Sequence, residues 1–258
     1  MHESILERIE ADSRELAEKL LANDLLPCFY GRKSEWRADD WSRSRIGGAA
    51  YLPEGLEHPK DKSGRAMLFL AQVNFSELAA VQDAKQIQGL LLLFWNAARD
   101  HSNPKDRNAF RCIYLKEPRE LSAEQADLHA PQLSTQFRLE FSPGYSIDKG
   151  GEIPLRNQIG TLLQADACSQ ILGEPSSDIQ RLREIAAFAA NGVSWSLARR
   201  EDSCFSHLLD AAENWQFLWR IDSVPEIGLD LDDRSLYLLI KREDLEAGLL
   251  DRAWLLLQ

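Results

Sequence analysis

The stretch Phe69-Leu70-Ala71-Gln72-Val73-Asn74 is followed, after a turn-rich gap, by Gly89-Leu90-Leu91-Leu92-Leu93-Phe94. Much later in the chain, Phe217-Leu218-Trp219-Arg220-Ile221-Asp222 is followed by Ser235-Leu236-Tyr237-Leu238-Leu239-Ile240 after a similar gap. Apolar runs of this length are typical of buried strands. The repetition therefore predicts two related pairs of strands.

An Ile-Gly step precedes each strand pair, at Ile46-Gly47 and at Ile159-Gly160, and the second half carries an insertion of about 35 residues. We therefore expect an α+β fold that is internally duplicated, with antiparallel-rich sheets and flanking helices. The two diverged halves share one core in a single domain over residues 1–258. We expect a helix at 3–22, the first half at about 40–145 and the second at about 150–258.

Side-chain alternation predicts the faces of the first strand. Phe69, Ala71, Val73 and Phe75 fall on one face in the sequence, with Gln72 and Asn74 on the other. The six apolar residues of Leu90–Trp95 indicate a strand that is covered on both sides. Further strands are predicted at 110–115, 136–141, 215–222, 235–240 and 255–257.

Helices and irregular segments are predicted from their start and stop signals. Pro27 is expected to end the first helix, and residues 28–66, 96–108 and the Pro143-Gly144 step are expected to be irregular. Ser177 and Gln180 form a capping box for a helix that ends at Asn191-Gly192. A second helix is predicted from about Asp202 and a short one at 242–250.

The composition limits the class of protein. Hydrophobic residues make up 44% and charged residues 28% of the chain, as in ordinary globular domains. The formal net charge of −11 disfavours binding to nucleic acid or to an anionic membrane surface, and it favours a basic protein partner. The Arg- and Trp-rich segment 32–45 is therefore interpreted as local packing.

The cysteines indicate a reducing compartment. Cys28, Cys112, Cys168 and Cys204 are far apart in sequence, so no C-x-x-C metal or redox motif is present. The N-terminal residues carry charges from the start, and no apolar run approaches the length of a membrane span. We therefore expect a cytoplasmic protein.

Two strings of residues carry a resemblance to a known family. They are Ser44-Arg45-Ile46-Gly47-Gly48-x-x-x-Leu52-Pro53-x-Gly55 and Phe69-Leu70-Ala71-Gln72-Val73-Asn74-x-x-x-Leu78. Together they resemble the opening signature of the YwqG-like family of uncharacterised bacterial proteins. The segment from Trp215 to Leu245 is similar to the second half of that family. The chain departs from the family at His58-Pro59, where relatives tend to have Trp-Pro, which indicates a divergent member.

The resemblance implies a fold and no established reaction. It implies an α+β domain with internal duplication, spanning roughly residues 44–258. Some relatives are suspected of being immunity proteins that are encoded beside secreted toxins. The resemblance therefore implies a binding role as an expectation, while function must be argued from a site.

Five side chains are candidate ligand-binding residues. Gln72 and Arg220 are equivalent positions in the two halves, as are Asn74 and Asp222. If pseudo-twofold symmetry relates the halves, these four side chains converge on one cleft between them. The alternative is that they face solvent or hold neighbouring turns. Arg45 is the fifth candidate, because Gly47-Gly48 beside it is either an anion-binding backbone nest or a tight turn.

An acidic loop is the candidate partner-binding surface. Glu226, Asp230, Asp232 and Asp233 lie between the last two long strands. The spacing lacks the central glycine and terminal glutamate of an EF-hand loop, so no metal site is predicted. The loop is interpreted either as a solvated turn or as a contact surface for a basic partner.

The sequence favours a non-catalytic protein-interaction protein. No nucleophile elbow, zinc-protease, P-loop or dinucleotide motif is present, and no cofactor is predicted. Our first hypothesis is an immunity-type protein that neutralises a basic toxin domain by direct binding. The alternative is a small-ligand binding protein or hydrolase that uses the cleft between the two halves.

Overall fold

The computed structural model describes residues 5–10, 13–37, 41–78, 87–96, 107–117, 130–147, 154–164, 166–175 and 177–258. This part of the chain forms one antiparallel sheet with flanking helices, so the predicted α+β class is confirmed. Its strands are β1 (Leu25–Ser34), β2 (Arg45–Gly47), β3 (Leu68–Asn74), β4 (Leu90–Trp95), β5 (Phe110–Leu115), β6 (Gln136–Ile147), β7 (Ser169–Ile171), β8 (Trp215–Asp222), β9 (Ser235–Lys241) and β10 (Trp254–Leu257).

The helices lie mainly in the second half. They are α1 (Arg14–Asn23), α2 (Pro154–Leu163), α3 (Ile179–Ala190), α4 (Leu197–Arg200), α5 (Ser206–Ala212) and α6 (Arg242–Glu246). The helix predicted from the capping box is present as α3, although Asp178 rather than Ser177 caps it by accepting from Arg181 N at 3.0 Å. Ser177 instead shares a hydrogen bond with the Tyr237 hydroxyl.

The sheet has a mirrored strand order. Its ten strands run β10-β9-β8-β7-β1-β6-β2-β3-β4-β5, so a four-stranded group lies on each side of the β1–β6 pair. Phe110 on edge strand β5 meets Trp254 on edge strand β10, with ring centroids 5.7 Å apart. The sheet therefore curls until its two edges almost meet.

The N-terminal predictions were wrong in two respects. The helix expected at 3–22 is shorter, with Arg14–Asn23 as its regular part, and Leu16 of the predicted apolar face is 44% exposed. Pro27 does not end a helix but lies within β1, most of which falls in the segment 28–66 that was expected to be irregular. A strand tolerates this proline because β7 pairs with β1 only at Phe29–Gly31, leaving residue 27 without a ladder partner on that side.

The prediction of a turn at Pro143-Gly144 was also wrong. Both residues lie inside β6, where they pair with Phe29 and Cys28 of β1. A Cβ atom on Gly144 would lie 2.7 Å from the Tyr30 ring, so the glycine allows the two central strands to pack closely.

A bulge changes the predicted faces of β3. Phe69 pairs with Phe94, whereas Ala71 pairs with Leu93, so Leu70 is the extra residue. Phe69 therefore packs against Leu90 and Leu92 in a separate cluster, while Ala71 and Val73 enter the main core. Strand β8 carries the same irregularity at Leu218, between Phe217 and Trp219. Strict alternation fails here because each strand contains one additional residue.

The predicted Ile159-Gly160 step does not lead into a strand. Ile159 and Gly160 lie within α2. The segment that resembles Ser44–Gly48 is Ser169–Gly173, which includes β7. Gly47 and Gly48 have φ angles of 81° and 76°, and Leu172 and Gly173 have 60° and 70°.

One core joins the two four-stranded groups. The largest cluster of buried side chains contains Val73 and Leu91 from the first group together with Ile221 and Leu238 from the second. Helix α3 adds Leu182 and Ile185 to this cluster. Burial of apolar surface on this scale, at about 25 cal/mol per Å², is the main stabilising contribution to the fold.

We predict that Gly47→Ala lowers the free energy of unfolding more than Gly55→Ala does. Both glycines have φ near +80°, so both variants incur about 1 kcal/mol of backbone strain. Only at Gly47 does the new Cβ collide with a backbone oxygen, that of Thr135, while nothing lies within 4 Å at Gly55. Urea unfolding should show an extra loss of about 1–3 kcal/mol for Gly47→Ala. Equal losses would contradict this account of the β2–β6 contact.

Candidate functional site

The five predicted ligand-binding residues lie in two separate groups. Strand β3 carries Gln72 and Asn74, and β8 carries Arg220 and Asp222. Four strands separate β3 from β8, which corresponds to about 24 Å along the sheet at about 4.8 Å per step. The structure therefore does not bring these four side chains into one cleft between the halves.

The first group holds a neighbouring segment in place. Gln72 Nε2 donates to the carbonyl oxygens of Trp41 and Arg43 at 2.9 and 2.7 Å. Asn74 Nδ2 donates to the Ser42 carbonyl at 2.9 Å, and Asn74 N donates to Ser44 Oγ at 2.9 Å. These hydrogen bonds hold segment 41–44 against β3, so the Gln72 and Asn74 side chains have a structural role.

Arg45 has no exposed surface. Its Nη1 and Nη2 atoms donate to the carbonyl oxygens of Gly47 and Ala49, each at 2.6 Å. The guanidinium also lies over three aromatic rings, at 4.4 to 5.4 Å from the centroids of Phe69, Tyr51 and Trp36. Burial lowers the pKa of Arg45 to about 9.

No carboxylate pairs with Arg45 among the residues that the structure describes. The Gly47-Gly48 backbone is also in use, since Arg45 bonds to the Gly47 carbonyl and the Gln136 side chain lies against Gly48. The anion-binding interpretation of this glycine pair therefore has no open site here. The arginine instead acts as an internal ligand for the turn that follows β2.

Arg220 and Asp222 line a cavity of about 340 Å³, which we call the Asp222 cavity. Arg220 is 3% exposed, its Nη1 donates to Gln164 Oε1 at 2.6 Å, and its Nε lies 3.0 Å from Asp222 Oδ1. Ser235 Oγ donates to the same Asp222 oxygen at 2.7 Å. The full lining is Thr161, Gln164, Asp166, Ala167, Arg220, Asp222, Ser235 and Tyr237.

The Asp222 cavity carries two carboxylates and one guanidinium. Burial raises the pKa of Asp222 above its usual value, against the opposing effects of Arg220 and Ser235. A positively charged group next to Asp222 would favour the ionised form and be bound in return. The lining therefore suits a polar or cationic group better than an anion.

The four acidic residues of the predicted partner surface occupy the connection between β8 and β9. Glu226 forms an ion pair with Lys33 at 2.6 Å, and Asp232 with Arg234 at 3.4 Å. Asp230 Oδ1 accepts a hydrogen bond from Asp232 N at 3.2 Å. We call residues 228–233 the acidic turn.

The acidic turn is anchored from within. Leu229 and Leu231 are each 1% exposed, so they hold the turn against the core while Asp230, Asp232 and Asp233 are exposed. Asp222 and Ser235 pair at the base of the same hairpin. The acidic turn therefore leaves the sheet at the edge of the Asp222 cavity.

The carboxylates of the acidic turn are not arranged as metal ligands. Within the described ranges, no three His, Cys, Asp or Glu side chains are grouped so that they could hold a metal ion. The two carboxylates at 230 and 232 are instead used in turn geometry and in pairing with Arg234.

The thiols of Cys28 and Cys168 are poor nucleophiles. Burial raises the pKa of Cys28 to about 12 and that of Cys168 to about 11. Both thiols therefore stay protonated at neutral pH, and a protonated thiol is a weak nucleophile.

A second cavity was missed in the sequence analysis. It has a volume of about 490 Å³, and we call it the Phe217 cavity. It is lined by Leu26, Leu172, Gly173, Glu174, Gln180, Arg183, Glu213, Trp215, Gln216, Phe217 and Arg242. The only sequence signal near it is the pattern Ser-x-Ile-x-Gly, which Ser169–Gly173 shares with Ser44–Gly48.

The chain belongs to a family of proteins that share a domain of unknown function (DUF1963), whose family model matches residues 44–258. No curated protein matches the chain. The matched region starts just before β2 and includes the acidic turn, the whole lining of the Asp222 cavity and the lining of the Phe217 cavity except Leu26. Membership in this family supplies no reaction or ligand.

Membrane insertion through a helix is not supported by the described part of the chain. None of its helices has both the length and the apolar character that crossing a bilayer requires.

We predict that Arg45→Ala is more destabilising than Arg45→Gln. Alanine leaves the carbonyls of Gly47 and Ala49 without their side-chain donor and opens a void between aromatic rings, while glutamine keeps an amide donor within reach. The loss of unfolding free energy should be about 3–5 kcal/mol for alanine and smaller by about 1–2 kcal/mol for glutamine.

The control for the Arg45 variants is Arg37→Ala. Arg37 is exposed, so its truncation should change the free energy of unfolding by less than about 0.5 kcal/mol. If Arg45→Gln proved as unstable as Arg45→Ala in urea unfolding, the carbonyl bonds would not be the important contribution of Arg45.

Proposed function

We propose that this member of the DUF1963 family is a non-catalytic binding protein for a basic protein partner. The proposed contact surface consists of the acidic turn and the mouth of the Asp222 cavity. The observation that carries the proposal is their adjacency on one hairpin: three exposed carboxylates leave the sheet next to a cavity that itself contains two.

The acidic turn is held in one conformation before any partner binds. Besides the buried Leu229 and Leu231, the Val224 amide donates to the Leu229 carbonyl at 2.8 Å and Leu231 N donates to Ser223 Oγ at 3.1 Å. A surface that is already ordered loses little conformational entropy on binding. This favours a dedicated contact surface over a mobile solvated loop.

Charge complementarity supports a basic partner. The net charge of −11 gives a field that attracts cationic proteins and accelerates their encounter. The Lys33–Glu226 pair beside the turn is 38% and 56% exposed, so it contributes little stability and can exchange for a partner's cation.

The Asp222 cavity offers a place for one basic side chain of the partner. Its volume of about 340 Å³ lies at the lower end for ligand pockets, and Asp222 is 28% exposed. A lysine or arginine inserted there would meet Asp222 and Asp166. A basic toxin domain fits this description, in line with an immunity-type role.

The second candidate function is binding of a small polar ligand in the Asp222 cavity. Hydroxyl and amide groups from Thr161, Gln164, Ser235 and Tyr237 surround the cavity and offer both donors and acceptors. This site lies within the second half rather than between the halves. A hydrolase mechanism has no specific observation in its favour.

We also infer that the two four-stranded groups arose by internal duplication and that the chain is a divergent YwqG-like protein. The mirrored strand order, the bulges at Leu70 and Leu218 and the paired positive φ angles support the duplication. In an experimental structure, superposing the two groups should place Gly48 on Gly173. A smaller deviation between the two groups with Gly48 placed on a residue other than Gly173 would contradict the proposed duplication.

Neutralising the acidic turn should abolish capture of the partner. We predict that the immobilised wild-type chain retains one basic protein from an extract of its source organism and releases it as salt increases, because salt screens the contact. The triple variant Asp230→Asn, Asp232→Asn and Asp233→Asn should retain at least about tenfold less, as loss of about 1.4 kcal/mol implies.

The matched control changes the net charge equally at other exposed positions. Glu18→Gln, Glu54→Gln and Glu57→Gln also remove three carboxylates, and all three side chains are exposed. The control should retain the partner, identified by mass spectrometry, as the wild type does. Equal retention by the triple variant would remove the acidic turn from the proposal, and no captured protein would favour the small-ligand function.

A further inference from the structure

The first half of the chain contains an internal guanidinium site. The Arg45 guanidinium lies 4.4 Å from the centroid of Phe69 and bonds to the carbonyls of Gly47 and Ala49. A Cβ atom added to Gly48 would lie 3.2 Å from Arg45 Nη1, so Gly48 also borders the site. Four positions of the first half therefore enclose this guanidinium.

The equivalent four positions of the second half line the Phe217 cavity. The bulge matches Phe69 with Phe217, and the positive φ angles match Gly47, Gly48 and Ala49 with Leu172, Gly173 and Glu174. All four of the second-half residues contact the cavity of about 490 Å³. In the first half the Arg45 side chain fills the space beside Phe69, whereas in the second half the corresponding space beside Phe217 is an open cavity.

The presence of Gln170 in place of an arginine explains why the Phe217 cavity is open. Gln170 occupies the position of Arg45, and its Nε2 donates to the carbonyls of Leu172 and Glu174 at 3.1 and 2.9 Å. These are the counterparts of the two carbonyls that Arg45 bonds. The shorter glutamine satisfies both carbonyls with a single amide nitrogen.

We propose that the Phe217 cavity binds the guanidinium group of an arginine supplied from outside the chain. The arginine lies over the Phe217 ring and beside Trp215, in the part of the equivalent place that Gln170 does not fill. Both rings are buried, which strengthens the attraction between an aromatic face and a cation. The cavity adds a carboxylate that the first-half site lacks, because Glu174 stands where Ala49 does.

The charges on the cavity wall agree with an arginine as the whole ligand. Glu174 and Glu213 oppose Arg183 and Arg242, and Glu174 Oε1 lies 3.3 Å from Arg183 Nη2. In the proposed complex Glu174 and Glu213 face the guanidinium, and Arg183 exchanges its contact with Glu174 for the ligand's carboxylate, beside Arg242. The volume is within the range of small-molecule pockets. This site is independent of the function proposed for the acidic turn.

The test is a calorimetric titration of the full chain with L-arginine and with L-citrulline. Citrulline has nearly the same shape but carries a neutral urea group in place of the guanidinium. We expect arginine to bind with a Kd of about 1 mM or tighter and citrulline at least about tenfold more weakly. No binding of arginine to the folded wild type, or equal binding of citrulline, would overturn the proposal.

Variants at the cavity and beside the acidic turn separate the two proposals. Glu174→Gln and Phe217→Leu should each weaken arginine binding by about tenfold or more. Glu226→Gln should leave it unchanged, because Glu226 does not line the cavity. Arginine binding that is insensitive to Glu174→Gln and Phe217→Leu but reduced by Glu226→Gln would overturn this site assignment without bearing on capture of a protein partner.

Gln170→Arg should convert the second half into a copy of the first. The introduced guanidinium reaches the same two carbonyls and covers Phe217, so the variant should melt no lower than the wild type and should no longer bind arginine. Undiminished binding by a folded Gln170→Arg variant would contradict the proposal. If this variant does not fold, the comparison of arginine with citrulline on the wild type decides.

N-acetyl-L-arginine amide identifies the source of the guanidinium. This probe lacks the free amino and carboxylate groups of the amino acid. Binding as tight as that of L-arginine supports an arginine side chain of a peptide or protein. Much weaker binding supports the free amino acid, with its carboxylate at Arg183 and Arg242.

Discussion

The pairing of β1 with β6 is the interaction on which the rest of the structure depends. Its ladder runs from Leu25 opposite Ile147 to Ser34 opposite Arg138, and each strand also pairs with one of the two four-stranded groups. Close packing at this junction is possible because Gly31 lies under Phe141 and Gly144 under Tyr30. Without this ladder the molecule would be two separate sheets, and neither would share the core that now connects them.

The sequence predicted the strands that are rich in apolar residues and missed a strand that contains proline, glycine and charged residues. Leu90–Trp95 is an unbroken apolar run and Trp215–Asp222 is rich in large apolar residues, and both were found at their observed positions. Strand β1 was missed because it contains Pro27, Gly31 and two basic residues, which are unfavourable in a typical strand pattern. Its pairing partners, β6 and β7, are distant in sequence. No residue pattern in the sequence marks the bulges at Leu70 and Leu218. Strict alternation therefore placed Phe69 on the wrong face of β3.

The candidate sites were predictable only where local sequence determines them. The acidic turn could be located because its carboxylates and its two buried leucines alternate within one short segment. Convergence of Gln72 with Arg220 depended on strand order, which a list of strands does not contain. The Phe217 cavity could not be predicted locally, because its lining residues come from segments far apart in sequence, from Leu26 to Arg242.

The near-closure of the sheet has a consequence for how the molecule behaves among its own copies. An open sheet of ten strands would present two rows of unpaired backbone donors and acceptors, which recruit strands from other chains and start aggregation. Here β5 and β10 turn toward each other through Phe110 and Trp254, and β10 has only four residues. The chain thus uses one edge of its own sheet to shield the other from edge-to-edge pairing with strands of a neighbouring copy.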